Sequence, residues 1–110
     1  MVFFEPLKTD KPDTVRFAAK DGEVVLGTCD MVLHDQLADL VSVQLETDDL
    51  SIGEGLLRAA LNYAANRGYY IAACSAPDAD AVRSLLPFKL KNEMWQNDIP
   101  TLLRGSCGKN

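Results

Sequence analysis

No run of this chain is long or apolar enough to cross a bilayer, and its opening residues, MVFFEPLK, lack the basic-then-apolar order of a secretory signal. The expected location is the cytoplasm. Cations are scarce too: 11 Lys and Arg stand against 16 Asp and Glu, a net charge of -5. They are scattered rather than clustered, which argues against nucleic acid, whose phosphates are bound mainly through Lys and Arg. The cysteines, Cys29, Cys74 and Cys107, form no C-x-x-C pair and no metal-ligand spacing, so no metal site is expected. Histidine occurs once, as His34 at a predicted turn, where it reads as a surface residue. There is no repeat, no low-complexity tract and no internal linker. What remains, 47% hydrophobic and 25% charged over 110 residues, describes one domain able to bury a core without disulfides. We assign it residues 1–104, with 105–110 as a loose tail in which Cys107 would be an exposed thiol.

The chain is organised around the stretch from Ala38 to Cys74. ADLVSVQLE alternates as a strand, TDDLSI is an acidic loop, GEGLLRAALNYAANRG carries helical periodicity and YYIAAC is a second, apolar strand. Leu56, Leu57, Ala60, Leu61 and Ala64 fall on one helical face, and Glu54, Arg58, Asn62 and Asn66 fall on the other. Ser51 followed three residues later by Glu54 predicts a capping box, and Gly68 predicts a left-handed stop after a helix spanning Ile52 to Arg67. The two strands are expected to be parallel neighbours. A β-loop-α-β unit of this kind often presents a helix N-terminus to an anionic ligand.

Before this unit, Met1 to Pro12 reads as an extended lead-in anchored by Phe3 and Phe4. Val15 to Lys20 and Glu23 to Leu33 read as strands joined by an Asp21-Gly22 hairpin, the second bent at Gly27. A turn at His34-Asp35-Gln36 makes three consecutive antiparallel strands feeding the central unit. After Cys74, Ser75 to Asp78 starts a short helix through Ala79, Val82, Leu85 and Leu86 that Pro87 stops. Phe88 to Gln96 reads as one strand, and Ile99 to Arg104 as a turn of helix or a last strand. The fold class is α/β (α+β), with a mixed sheet of antiparallel N-terminal strands around a central β-α-β unit.

This pattern resembles the GNAT-type N-acetyltransferases over roughly Asp21 to Trp95. Val41-Ser42-Val43-Gln44-Leu45 is similar to the family's L-x-V-x-P strand. Asp48-Asp49-Leu50-Ser51-Ile52-Gly53 occupies the place of its (Q/R)-x-x-G-x-(G/A) loop, and Glu54 to Leu61 the place of the helix that follows. Ala81 to Phe88 resembles the next helix and its terminal Gly-Phe, with Arg83 where the family carries a general-acid tyrosine and Pro87 where it carries glycine. The resemblance implies acetyl-CoA as cofactor and an amine acceptor, small molecule or peptide. Pantetheine would pair with the backbone of Val43, Gln44 and Leu45, and the pyrophosphate would lie on Ser51, Ile52, Gly53, Glu54 and Gly55. Glu46, at the strand end, stands in the region of the family's carboxylate base.

The residues at these positions also support another reading. Asp48 replaces the loop's Gln or Arg, Ser51 replaces its first glycine, and Asp49 and Glu54 add carboxylates. Each suits a helix end that caps itself. Two functions therefore stand at this point: acyl transfer from acetyl-CoA to an amine, or a non-catalytic GNAT-like binding or regulatory domain. Leu7 to Thr14 is too short to hold the family's acceptor-side helices, and a homodimer would be one way to supply that wall.

Overall fold

Alternating apolar and polar residues fold the first half of the chain into four antiparallel strands rather than the three expected. They are β1 (Val2–Leu7), β2 (Thr14–Asp21), β3 (Val24–His34) and β4 (Leu37–Leu45). The computed structural model describes residues 1–76 and 84–105. The added strand is the lead-in: β1 pairs with β2 from Val2↔Asp21 to Leu7↔Arg16. It is an edge strand, where a Pro6 without an N–H is tolerated. Phe4 turns onto the core as the expected anchor, whereas Phe3, one residue away, lies on the opposite face and is exposed.

Gly22, at a φ of 65°, helps close the first hairpin, and Asp35, at 54°, the second. Two irregularities bend the sheet. Ala19 faces Gly27 while Lys20 faces Val25, so Leu26 is an extra residue beside the expected Gly27 bend. Asp30 faces Ser42 while Met31 faces Leu40, which leaves Val41 as a bulge within β4.

Helix α1 (Leu50–Asn66) crosses to β5 (Ile71–Cys74), which lies parallel to β4 as expected. The predicted face is the observed one: Leu56, Leu57, Ala60, Leu61 and Ala64 are fully buried. Each buried leucine contributes about 1.5–3 kcal/mol. The helix stops as expected. Tyr69 N–H donates to Ala64 O and Gly68 N–H to Ala65 O, both at 3.0 Å, with Gly68 at φ 91°.

The helix start differs from expectation. Asp49, not Ser51, is the N-cap; its carboxylate accepts from Ser51 N–H at 3.0 Å and from Ser51 Oγ at 2.6 Å. Glu54 does not turn back to close a capping box but pairs with Arg58 one turn on, at 2.9 Å. The helix begins at Leu50, so Ser51 already lies inside its first turn.

A single strand over Phe88 to Gln96 is also corrected. Asn92 and Glu93 both adopt positive φ, 53° and 65°, and fold the segment into a hairpin of β6 (Lys89–Lys91) and β7 (Met94–Asp98). The imperfect alternation reflected this turn. The final segment is helix α2 (Ile99–Gly105), capped by Asp98, which accepts from Thr101 N–H at 2.8 Å. Of the expected helix after Cys74, Pro77 to Arg83 lie outside the described residues, as does the tail from Ser106, including Cys107.

The sheet order is β1-β2-β3-β4-β5-β7-β6. Both helices pack on one face of it, in mutual contact through Arg58, whose guanidinium donates to Leu103 O. The opposite face carries polar residues held in pairs: Arg16 on Asp30 at 2.7 Å and Lys20 on Glu5 at 3.0 Å.

A Cβ on Gly55 would strike the Phe4 ring, with ring atoms at 3.0 and 3.1 Å beyond the first contact. Gly55→Ala therefore costs about 1–3 kcal/mol in urea unfolding, the usual penalty of overpacking. The cost shrinks in a Phe4→Leu background, because the clash is with that ring. The Asp49 carboxyl is held below its usual range by the Ser51 hydroxyl and N–H. A depressed folded-state value gives stability that is present above the ordinary Asp value of about 3.9 and lost as the pH falls through Asp49's own. Asp49→Ala should lower the melting temperature at neutral pH, with the gap to wild type closing in acid.

Candidate functional site

The pairing of β4 with β5 runs only from Leu37↔Ile71 to Leu40↔Cys74. Beyond it, Ser75 N–H and Ala76 N–H both donate to Leu40 O, at 3.0 and 3.1 Å, and the chain turns away. From Val41 to Leu45, β4 keeps β3 as its one strand neighbour among the described residues. The sheet therefore opens at the Val41 bulge. Glu46 N–H donates to Leu26 O, at 2.8 Å, on the β3 side. Backbone groups alternate along an antiparallel strand, so those of Gln44 also face β3, while those of Val43 and Leu45 face the opening. An exposed strand edge of this kind accepts an extended, amide-bearing ligand by adding hydrogen bonds to it.

The opening leads to the N-terminus of α1. Most first-turn donors there are occupied. Asp49 N–H meets Thr47 Oγ1 at 3.1 Å, Ser51 N–H meets the Asp49 carboxylate, and Ile52 N–H meets Asp49 O at 3.1 Å. Leu50 N–H is the one first-turn donor left over among the described residues. The two glycines have packing reasons of their own. A Cβ on Gly53 would lie 2.9 Å from Leu45 and 3.1 Å from Leu85, and Gly55 makes room for Phe4. Ser51 is exposed, and Ile52 and Glu54 are half-buried. The open edge thus offers unpaired backbone groups, while the helix end offers few free donors unless Asp49 releases Ser51.

Glu46 is exposed at the far end of β4. It lies six positions beyond Leu40, about 20 Å of extended chain. A carboxylate that sequence reasoning passed over lies at the point of parting. Asp39 accepts from Ser75 N–H at 3.2 Å and from Ser75 Oγ at 3.0 Å. This bond clasps β4 to β5 on the sheet face away from the helices, since Asp39 alternates with the buried Ala38 and Leu40. Its signal in the sequence was slight, the one charged residue of its strand.

The remaining expected groups are dispersed. Tyr63 packs edge-on against Phe17, with ring centroids 5.5 Å apart. Tyr70 is exposed, and His34 is a surface residue at the second hairpin. Burial pushes the Cys29 thiol up to about 12 and raises that of Cys74, which suits packing rather than nucleophilic chemistry. Arg83 lies outside the described residues.

No protein-family model and no curated protein matches the sequence. Solved structures do match. The chain aligns with the ribosomal-protein-S18-alanine N-acetyltransferase from Escherichia coli at a TM-score of 0.72 and 11% identity, covering 90% of this chain and 94% of that one. It aligns with the PaiA N-acetyltransferase from Thermoplasma acidophilum, in complex with coenzyme A, at 0.64 and 13%, covering 78% and 61%. A cAMP-binding acyltransferase from Mycobacterium smegmatis gives 0.64 and 18%; 80% of this chain is covered, and it spans 31% of that protein's length. The open β4 edge, the parallel β4-α1-β5 unit and these alignments together give the chain the fold of the GNAT N-acetyltransferases.

Proposed function

We propose that the chain is an acyl-CoA-dependent N-acyltransferase that transfers an acetyl group from acetyl-CoA to an amine. The observation that carries the proposal is the parting of β4 from β5 at Leu40, which leaves the backbone of Val43 and Leu45 facing an opening in the sheet. Acetyl-CoA, when bound, supplies an activated thioester. Val43 and Leu45 would hold its pantetheine arm by strand-like hydrogen bonds, and Ser51 to Gly55 would face its pyrophosphate, with Leu50 N–H beside them. A neighbour with the same fold in complex with coenzyme A supports this choice of cofactor.

Amide formation needs a free amine, so a base must take the acceptor's ammonium proton before attack, and the departing thiolate takes up a proton to leave as the coenzyme A thiol. Two carboxylates are candidates for that base. Glu46 is the one expected from the sequence. Asp39 sits where the strands part, on the face that both described helices leave open. An acceptor approaching from that face would meet Asp39 and Ser75 first.

The acids at the helix end work against the pyrophosphate. A like-charge contact at about 4 Å costs roughly 1 kcal/mol in water and roughly 4 kcal/mol at a partly shielded surface. The self-satisfied cap favours a second reading, a GNAT-like module that binds a partner without catalysis.

Calorimetry with acetyl-CoA, coenzyme A and inorganic phosphate, paired with thiol release over a panel of amines, separates the two. The transferase reading expects specific acetyl-CoA binding, worth about 2.7 kcal/mol of stabilisation at 100 times its dissociation constant. It also expects turnover that falls about a hundredfold or more in Asp39→Asn or Glu46→Gln, whichever is the base, with cofactor affinity unchanged. Binding without turnover favours the module. No binding at millimolar acetyl-CoA overturns the proposal.

A further inference from the structure

The short β1–β2 connection and the C-terminal end of α1 border an open cleft of about 480 Å³. Its charge is opposite to that of the chain. Lys8, Lys11 and Arg67 line it and no acidic residue does, in a protein of net charge -5. These cations differ from several others. Arg16, Lys20 and Arg58 are each in an ion pair, whereas Lys8, Lys11 and Arg67 have none among the described residues.

The cleft also has a floor. Pro6, Val15 and Tyr63 line it from the helix side of the sheet, with Val15 and Tyr63 half-buried against the core. The Arg67 guanidinium lies 3.6 Å over the centre of the Tyr63 ring. That stacking limits the side chain's freedom and leaves its planar fork of N–H groups as the donor. The far wall is pinned by Thr9, whose hydroxyl is shared between Lys11 O at 2.9 Å and Thr14 O at 2.8 Å. The carbonyls at the end of α1 do not repel an anion here as strongly as bare ones would, because Gly68 and Tyr69 N–H groups already bond Ala64 and Ala65. Three acids lie nearby. Asp13 accepts from Thr14 Oγ1 at 3.1 Å, Asp30 on β3 holds Arg16, and Asp10 lines an adjoining cavity of about 260 Å³ that Lys8 and Lys11 also border.

We propose that this cleft is a binding site for a small anion carrying a flat apolar body, its phosphate or carboxylate held by Lys8, Lys11 and Arg67 and its body laid on Pro6 and Val15 beside the stacked Arg67 and Tyr63. The acidity of the rest of the chain disfavours an extended polyanion and leaves a small molecule as the occupant. The site is separate from the β4 edge. Arg67 follows the last residue of a 17-residue helix whose first turn borders the other site, about 25 Å away.

The test is an amide NMR titration of the full chain with phenyl phosphate. Benzoate, inorganic phosphate and benzylamine serve as comparison arms. Saturable shifts confined to Lys8–Thr14, Tyr63 and Arg67 are expected, with no competition from acetyl-CoA. Phenyl phosphate should bind more tightly than inorganic phosphate, and benzylamine should not bind. The stronger of phenyl phosphate and benzoate identifies the head group. Lys11→Gln and Arg67→Gln, both exposed and outside the core, should each weaken binding by about threefold or more, and added salt should weaken it further. Undiminished binding by both variants, equal binding of benzylamine, or shifts clustered elsewhere overturns the proposal. Inorganic phosphate binding as well as phenyl phosphate overturns the role given to the apolar floor. Acetyl-CoA binding to the same chain is read separately, from shifts at the β4 edge, so loss of binding at one site is distinguishable from loss at the other.

Discussion

The contact on which this structure depends is the bed of small residues between α1 and the sheet. Ala60 and Ala64 on the helix meet a sheet whose buried face includes Ala19, Ala38 and Ala72, and all five are fully buried. Small side chains let the helix lie close. Leu56, Leu57 and Leu61 then fill the space around Met31 and Leu40. Close approach also explains the glycines of the first two turns. Gly53 admits Leu45 and Leu85, and Gly55 admits the Phe4 ring, so the edge strand β1 is tied to the helix that covers it. The same close packing fixes where the helix begins, and therefore where its first N–H groups point.

Two demands compete at that first turn. A helix end needs its orphan donors satisfied, and an anion site needs them free. This chain has taken the first course, with Thr47 and Asp49 accepting from the loop and first turn. The strand beside it has not: among the described residues, the Val41 bulge and the early end of the β5 ladder leave β4 with an unmatched edge in the middle of a seven-stranded sheet. An open edge inside a sheet forgoes hydrogen bonds that a continuous ladder would make. It is the feature of this fold that packing alone does not account for.

Elements whose sequence signal was local were legible. The helical face from Leu56 to Ala64, the Gly68 stop, the Asp21-Gly22 hairpin and the parallel strands flanking the helix follow from periodicity and turn chemistry. Three features were not. β1 carries Pro6 and no clear alternation, and it becomes a strand because β2 offers an edge to pair with. The cap moved from Ser51 to Asp49 because both side chains can accept, and which one does depends on where the buried face sets the helix start. The Asn92-Glu93 turn was hidden because glutamate seldom marks a left-handed position.

The candidate site divides along the same line. By itself the sequence determined the stretch that carries it, because strand alternation from Ala38 to Leu45 and helical periodicity after Gly53 are properties of neighbouring residues. It also determined the acidic character of the loop. Only the tertiary structure decided that the sheet opens at Leu40, that Val43 and Leu45 rather than Gln44 turn their backbones to the opening, and that Asp39 stands at its apex against Ser75. Those facts rest on register between strands distant in sequence. A single bulged residue reverses which way every later backbone group faces, and no local pattern records it.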